Sequence, residues 1–209
     1  MSGRFIVLDG VDGCGKSTQL DHLLQWLPGS GLMPDGAALV STREPGGTPL
    51  GRSVRELLLH TRAEQAPAPT AELLLYAADR AQHVERLILP TLERGDWVIS
   101  DRFSGSTLAY QGHGRGLDRQ LIDQLEMIAT AGLQPDLTLW LTLPLEESLR
   151  RRQGAQADRI EAEGQEFLQR VIDGFAVIAE QRGWSAIAAD RPPEAVSRAL
   201  EKELMDRLG

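Results

Sequence analysis

Eight consecutive residues, Gly10-Val11-Asp12-Gly13-Cys14-Gly15-Lys16-Ser17, satisfy the pattern G-x-x-x-x-G-K-[ST] at every defined position. Glycines at these places let the backbone curl until successive N–H groups point at one anion. A lysine reaches the outer phosphates and a hydroxyl is offered to magnesium. The segment Phe5 to Asp9 before it reads as a buried strand, and Thr18 continues into a helical pattern, so the helix's positive end faces the same anion. Lys16 is one of only two lysines, with Lys202, among 22 basic residues. Asp101, closing the apolar run from Trp97, is the natural second ligand beside Ser17 for a magnesium ion. A strand-end or helix-capping aspartate is the structural alternative. This chemistry is nucleotide-phosphate binding, and the motif alone does not separate kinases from GTPases or ATP-driven switches.

Five apolar runs of strand length must position these groups: Phe5 to Asp9, Ala38 to Thr42, Trp97 to Asp101, Leu137 to Leu143 and Ala186 to Asp190. Helical spacing fills the intervals at Thr18 to Leu27, Leu50 to His60, Ala71 to Leu92 (where Pro90 should bend or end the helix), Leu117 to Ala131, Leu145 to Arg152, Glu166 to Gln181 and Glu194 to Leu208. Strands alternating with helices predict an α/β, three-layer P-loop NTPase fold in which helices flank a central five-stranded parallel sheet. Ligands in such folds sit beyond the carboxyl ends of the strands. Polar residues gather there: Asp9, Thr42 with Arg43 and Glu44, Ser100 with Asp101 and Arg102, and Asp190. The 209 residues suit a single domain, 1–209, with the small, polar stretch Gly154 to Gly164 within a mobile lid at about 144–165.

A net charge of -8 opposes nonspecific association with nucleic acid or acidic membranes, so an anionic ligand must be held by local cations. Cys14 is the sole cysteine, which excludes an intrachain disulfide and a cysteine-based zinc site. The opening apolar run is too short for a signal-peptide core, and no stretch approaches the roughly 18 residues of a membrane helix. A reduced, cytoplasmic protein is expected. His22, His60, His83 and His113 lack metal-like spacing and read as structural or surface residues.

Several further segments resemble bacterial thymidylate kinases: Asp9-Gly10 at the phosphate loop, Thr42-Arg43-Glu44-Pro45-Gly46-Gly47-Thr48, Tyr76-Ala77-Ala78-Asp79-Arg80, Asp101-Arg102-Phe103, Ser106-Thr107-Leu108-Ala109-Tyr110-Gln111-Gly112, and Asp158-Arg159-Ile160-Glu161. They follow the family's order over nearly the whole chain. The resemblance implies a homodimeric enzyme that moves the γ-phosphate of ATP, with Mg2+, onto dTMP. It also implies that Arg102 holds the acceptor phosphate with help from Arg43, and that Asp12 bonds the sugar's 3'-hydroxyl. Tyr76 would stack the thymine, in place of the usual phenylalanine, while Arg80, four residues on along one helix face, reads its carbonyl edge. Pro45, Ser106, Thr107, Tyr110 and Gln111 would line base and sugar. Ala188 to Pro193, with Asp190, would touch adenine.

The lid carries the remaining charge. Glu146 and Glu147 precede Arg150 and Arg151 at i,i+4 spacing, so a solvated helix face accounts for those two arginines. Arg152 faces Ser148 instead. In relatives whose phosphate loop lacks a basic residue at the variable positions, as here at Val11 to Cys14, catalytic arginines come from the lid. Arg152 is therefore expected to be catalytic with Lys16, Arg102 and Asp12, and Arg150 or Arg159 are its substitutes. A phosphate acceptor needs no general base at neutral pH, since its second ionisation lies near pH 6. Two other readings remain: a kinase for another nucleoside monophosphate or a deoxynucleoside, with Glu44 as base, and an ATP-dependent switch. A guanine-reading Asn-Lys-x-Asp segment is excluded, because neither lysine lies in one.

Overall fold

A computed structural model describes residues 3–153 and 159–209. Residues 154–158, which include Asp158 and part of the expected lid, lie outside the described residues. The chain builds β1 (Phe5–Asp9), α1 (Lys16–Trp26), β2 (Leu39–Arg43), α2 (Pro49–Leu59), α3 (Pro69–His83), α4 (Leu89–Glu93), β3 (Trp97–Asp101), α5 (Ser104–Thr107), α6 (Arg119–Thr130), β4 (Leu137–Thr142), α7 (Leu145–Arg151), α8 (Gln165–Arg182), β5 (Ser185–Ala188) and α9 (Pro193–Leu208). The strands form one parallel sheet in the order β2-β3-β1-β4-β5.

The central strands read as continuous apolar runs because both faces are covered. Phe5 and Val7 join a cluster with Val84, Ile88, Val98 and Phe103, whereas Ile6 and Leu8 enter the larger core with Ile99, Leu139 and Phe175. Each fully buried side chain of this size contributes about 1.5–3 kcal/mol relative to exposure. The chain leaves β1 toward β2 and β3 on one side and later reaches β4 and β5 on the other. The order therefore reverses at β1, and the phosphate loop leaves its carboxyl end.

Two elements depart from the sequence reading. The long helix is interrupted ahead of Pro90: a wide i→i+5 turn at Val84–Ile88 precedes it, and Leu89–Glu93 is a new helical segment that accommodates Pro90 in its first turn. Ser104 to Gly114, given no helix, is α5 running into a second wide turn, Leu108–Gly114. Its small polar residues favour turns, yet packing against α8 overrides them. A Cβ on Gly114 would stand 2.6 Å from the Phe167 ring, and one on Gly105 would stand 2.1 Å from the Trp184 ring.

Candidate active site

The phosphate loop takes its shape from Gly10, Gly13 and Gly15, all at positive φ (141°, 81° and 94°). Lys16, 7% exposed, donates to the carbonyls of Gly10 at 3.0 Å and Val11 at 3.1 Å. Ser17 and Thr18 are exposed in the first turn of α1. Cys14 is buried, and burial pushes its thiol up, so it packs as an inert apolar group.

Arg102 follows β3 with φ 73°, a conformation that a non-glycine residue holds only under strain. From there its guanidinium crosses to the phosphate loop. Nη1 donates to Gly10 O at 2.8 Å and Ser106 Oγ at 2.9 Å, and Nη2 donates to Asp12 Oδ1 at 2.6 Å. The Tyr110 hydroxyl donates to Asp12 Oδ2 at 3.0 Å, with its ring beneath the guanidinium at 5.2 Å. Partial withdrawal from water pushes the Asp12 carboxyl up, but Arg102 and Lys16 more than reverse this and hold it well below the usual carboxylate range. Asp9 goes the other way. It is fully buried, desolvation pushes its carboxyl up, and Oδ1 accepts from the Gly10 N–H and Ser106 Oγ.

A cavity beside this cluster brings together Asp12, Pro45, Tyr76, Arg80, Arg102, Ser106, Thr107, Tyr110 and Gln111. Tyr76 and Arg80 share one face of α3, and the wide turn after α5 carries Tyr110 and Gln111. Arg80, 3% exposed, donates from Nε to Glu44 Oε2 and from Nη2 to Thr107 Oγ1, both at 2.9 Å. Arg43 does not join this cavity. Half exposed, it lies 4.0 Å from Asp101 Oδ2 and lines the neighbouring cleft with Ser17 and Asp101. Glu44, Arg55, Leu59, Phe103 and Ile160 also line the acceptor cavity. Of these, Glu44, Phe103 and Ile160 lay inside segments already singled out, and Arg55, bonded to Pro45 O at 3.0 Å, carried no motif.

The lid arginines separate. Arg150 pairs with Glu147 at the surface, and the expected Glu146–Arg150 pair is replaced by this i,i+3 contact. Arg151 also meets Glu147, but donates onward to Ala189 O at 2.8 Å, so it bridges α7 to the loop holding Asp190 and does not simply dress a solvated face. Arg159 bonds Glu72 and Leu58 O. Arg152 packs against the phosphate loop: a Cβ on Gly13 would stand 3.3 Å from its Cγ.

Asp101 Oδ1 is buried without a hydrogen-bond partner among the described residues, in the cleft that Ser17 shares. Two oxygen donors suit Mg2+, which keeps its waters and takes the rest of its shell from phosphates. No cluster of three or more metal-ligating side chains occurs among the described residues.

Strand, glycine-rich loop, helix, and a polar acceptor cavity sharing Asp12 and Arg102 with that loop define a P-loop nucleotide kinase. The thymidylate kinase family model matches residues 8–200. The chain is 93% identical over 209 residues to the thymidylate kinase of Parasynechococcus marenigrum (strain WH8102), covering all of both chains. It is 73% identical to that of Synechococcus sp. (strain CC9605) over 208 residues, again covering all of both, and 65% identical to that of Prochlorococcus marinus (strain MIT 9313), covering all of this chain and 97% of the relative. The chain belongs to the thymidylate kinase family, and the activity that goes with membership is transfer of the ATP γ-phosphate to dTMP. No described helix is long and apolar enough to cross a membrane.

Proposed function

We propose that dTMP occupies the cavity between Tyr76 and Gln111 with its phosphate at Arg102, and that Lys16, Arg102 and Arg152 neutralise the charge of phosphoryl transfer from ATP. The observation that carries this reading is the Arg102 guanidinium, which touches both the phosphate loop and the acceptor cavity. The acceptor is already a phosphate dianion at pH 7, so its oxygen attacks the γ-phosphorus without a base, and ADP leaves. The barrier is mutual repulsion of two anions, and fixed cations lower it. Ser17 and Asp101 would hold Mg2+, which would supply charge neutralisation at the donor phosphates.

Arg152 is assigned the catalytic lid role on its contact with Gly13, since Arg150 is turned to solvent with Glu147 and Arg159 is engaged by Glu72. Arg152→Ala is expected to lower kcat about 100-fold and Arg150→Ala less than about twofold. Glu44 does not suit the base that a deoxynucleoside acceptor needs, because Arg80 and His83 occupy both its oxygens. ADP production with ATP, magnesium and a panel of monophosphates tests the whole reading. A tenfold preference for UMP or CMP over dTMP would refute it.

Assembly as a homodimer is supported by an apolar face. Leu50 and Leu57 on α2, Leu74 on α3, and Leu121, Met127 and Ile128 on α6 are exposed, and α3 packs against both neighbours. Ile128→Glu is expected to convert a dimer into a monomer by light scattering.

A further inference from the structure

His83 was expected to be structural or at the surface, and it is 0% exposed. Its surroundings are not those of a core residue. Nδ1 lies 2.9 Å from Glu44 Oε1 and Nε2 lies 2.7 Å from Thr42 Oγ1. The second Glu44 oxygen accepts from Arg80 Nε, and Arg80 Nη2 reaches Thr107. Thr42, His83, Glu44, Arg80 and Thr107 thus form one buried chain of side chains joining β2, α3 and α5, and Glu44, Arg80 and Thr107 also line the cavity. Gly47 closes over it, for a Cβ there would stand 2.5 Å from His83 Nε2.

Guanidinium groups prefer to meet carboxylates through two parallel N–H···O bonds. Arg80 does not: Glu44 takes only its Nε, Thr107 takes its Nη2, and His83 holds the other Glu44 oxygen. Arg80 itself lines the cavity. Without the imidazole, Glu44 Oε1 is released to take a second guanidinium N–H, and the fork turns away from the ligand.

We infer that His83 is a positioning residue that enforces this single-bond geometry and so sets discrimination for a pyrimidine with a carbonyl at position 4 over one with an amino group there. This rests on the reading above that Arg80 faces the base carbonyl edge. Nδ1–H of His83 donates to Glu44, and the Thr42 hydroxyl completes the ring's other nitrogen.

The test compares kcat/KM for dTMP and dCMP in wild type, His83→Asn, His83→Gln, His83→Leu and Arg80→Gln. Asparagine places its amide near Nδ1 and keeps the bond to Glu44, whereas glutamine reaches toward Thr42 and loses it. His83→Gln and His83→Leu are expected to lower the dTMP:dCMP ratio at least about tenfold, through KM for dTMP, with KM for ATP unchanged. His83→Asn is expected to stay within about threefold of wild type. If His83→Gln and His83→Asn keep equal ratios, or all His83 variants lose both substrates in proportion, His83 is merely structural and the inference fails. Should His83→Leu not fold, the Asn–Gln pair still decides. A ratio unmoved in Arg80→Gln overturns the base-reading assignment itself. A ratio lost there but kept in His83→Gln overturns the His83 inference alone.

Discussion

Two arginines, Arg102 and Arg80, line the cavity, and a carboxylate near each behaves in the opposite way to the other. Arg102 is 14% exposed and meets Asp12, 32% exposed, beside the phosphate loop. Arg80 and Glu44 are each 3% exposed, and a second acid, Asp79, sits beside them. Near Arg102 and Lys16 cations prevail, so Asp12 keeps its charge. Near Arg80 two acids, Glu44 and Asp79, lie buried close to one another. Burial and then the charge of Glu44 push Asp79 up to about 6, although the Gly46 N–H bonds its Oδ1. On the proposed reading, one end meets a phosphate and the other holds a planar base in register.

Removing Arg102 should separate the two ends most sharply. Arg102→Ala is expected to lower kcat more than about 1000-fold while leaving ATP affinity within about threefold, since donor contacts reside in the loop backbone and Lys16. Steady-state ADP release with calorimetric ATP titration checks it. Loss of ATP affinity to the same degree would mean that loop and cavity are one site.

Asp79 tests the sealed end by pH. Its folded value of about 6 lies above the ordinary 3.8, so the native state holds the proton more tightly than the unfolded chain. Below pH 4 both states are protonated and nothing is lost. As pH rises toward and through 6 the unfolded chain ionises first, and stability falls by about 3 kcal/mol, an order-of-magnitude figure. Asp79→Asn should therefore gain roughly that much on wild type between pH 4 and pH 8 in urea melts, most of it before about pH 6. Asp12→Asn should show no such slope from pH 5 to 8, its carboxyl being ionised in both states. Equal slopes would erase the contrast.

What could be read beforehand follows the same division. The phosphate loop is one contiguous stretch, so eight adjacent letters were enough to mark it. The strands were legible because burial on both faces leaves unbroken apolar runs. The acceptor end is assembled from separated segments, and family resemblance reached it where composition could not. Glu44 and His83 lie 39 residues apart, and nothing local in either marks their contact. Arg43 ends β2 and Arg102 follows β3, each with an acidic residue beside it; the positive φ at Arg102 goes with the one that lines the cavity. Helical spacing missed Ser104 to Gly114 because a wide turn breaks the period of 3.6, and tertiary packing, not propensity, holds it.

The smallest effect separates the two tyrosines of the cavity. Tyr110 works through its hydroxyl, which donates to Asp12 at 3.0 Å and receives from Arg102 at 3.4 Å. Its phenol is buried, so Tyr110→Phe leaves Asp12 Oδ2 short of a donor and is expected to raise KM for dTMP about tenfold. Tyr76 stands on the Arg80 side and is only partly buried, and an aromatic face suffices to stack a base. Tyr76→Phe should then change kcat/KM by no more than about twofold, whereas Tyr76→Ala forfeits the stacking. Equal losses in the two phenylalanine variants would show that the base end also relies on a hydroxyl, and that shape alone does not hold the pyrimidine there.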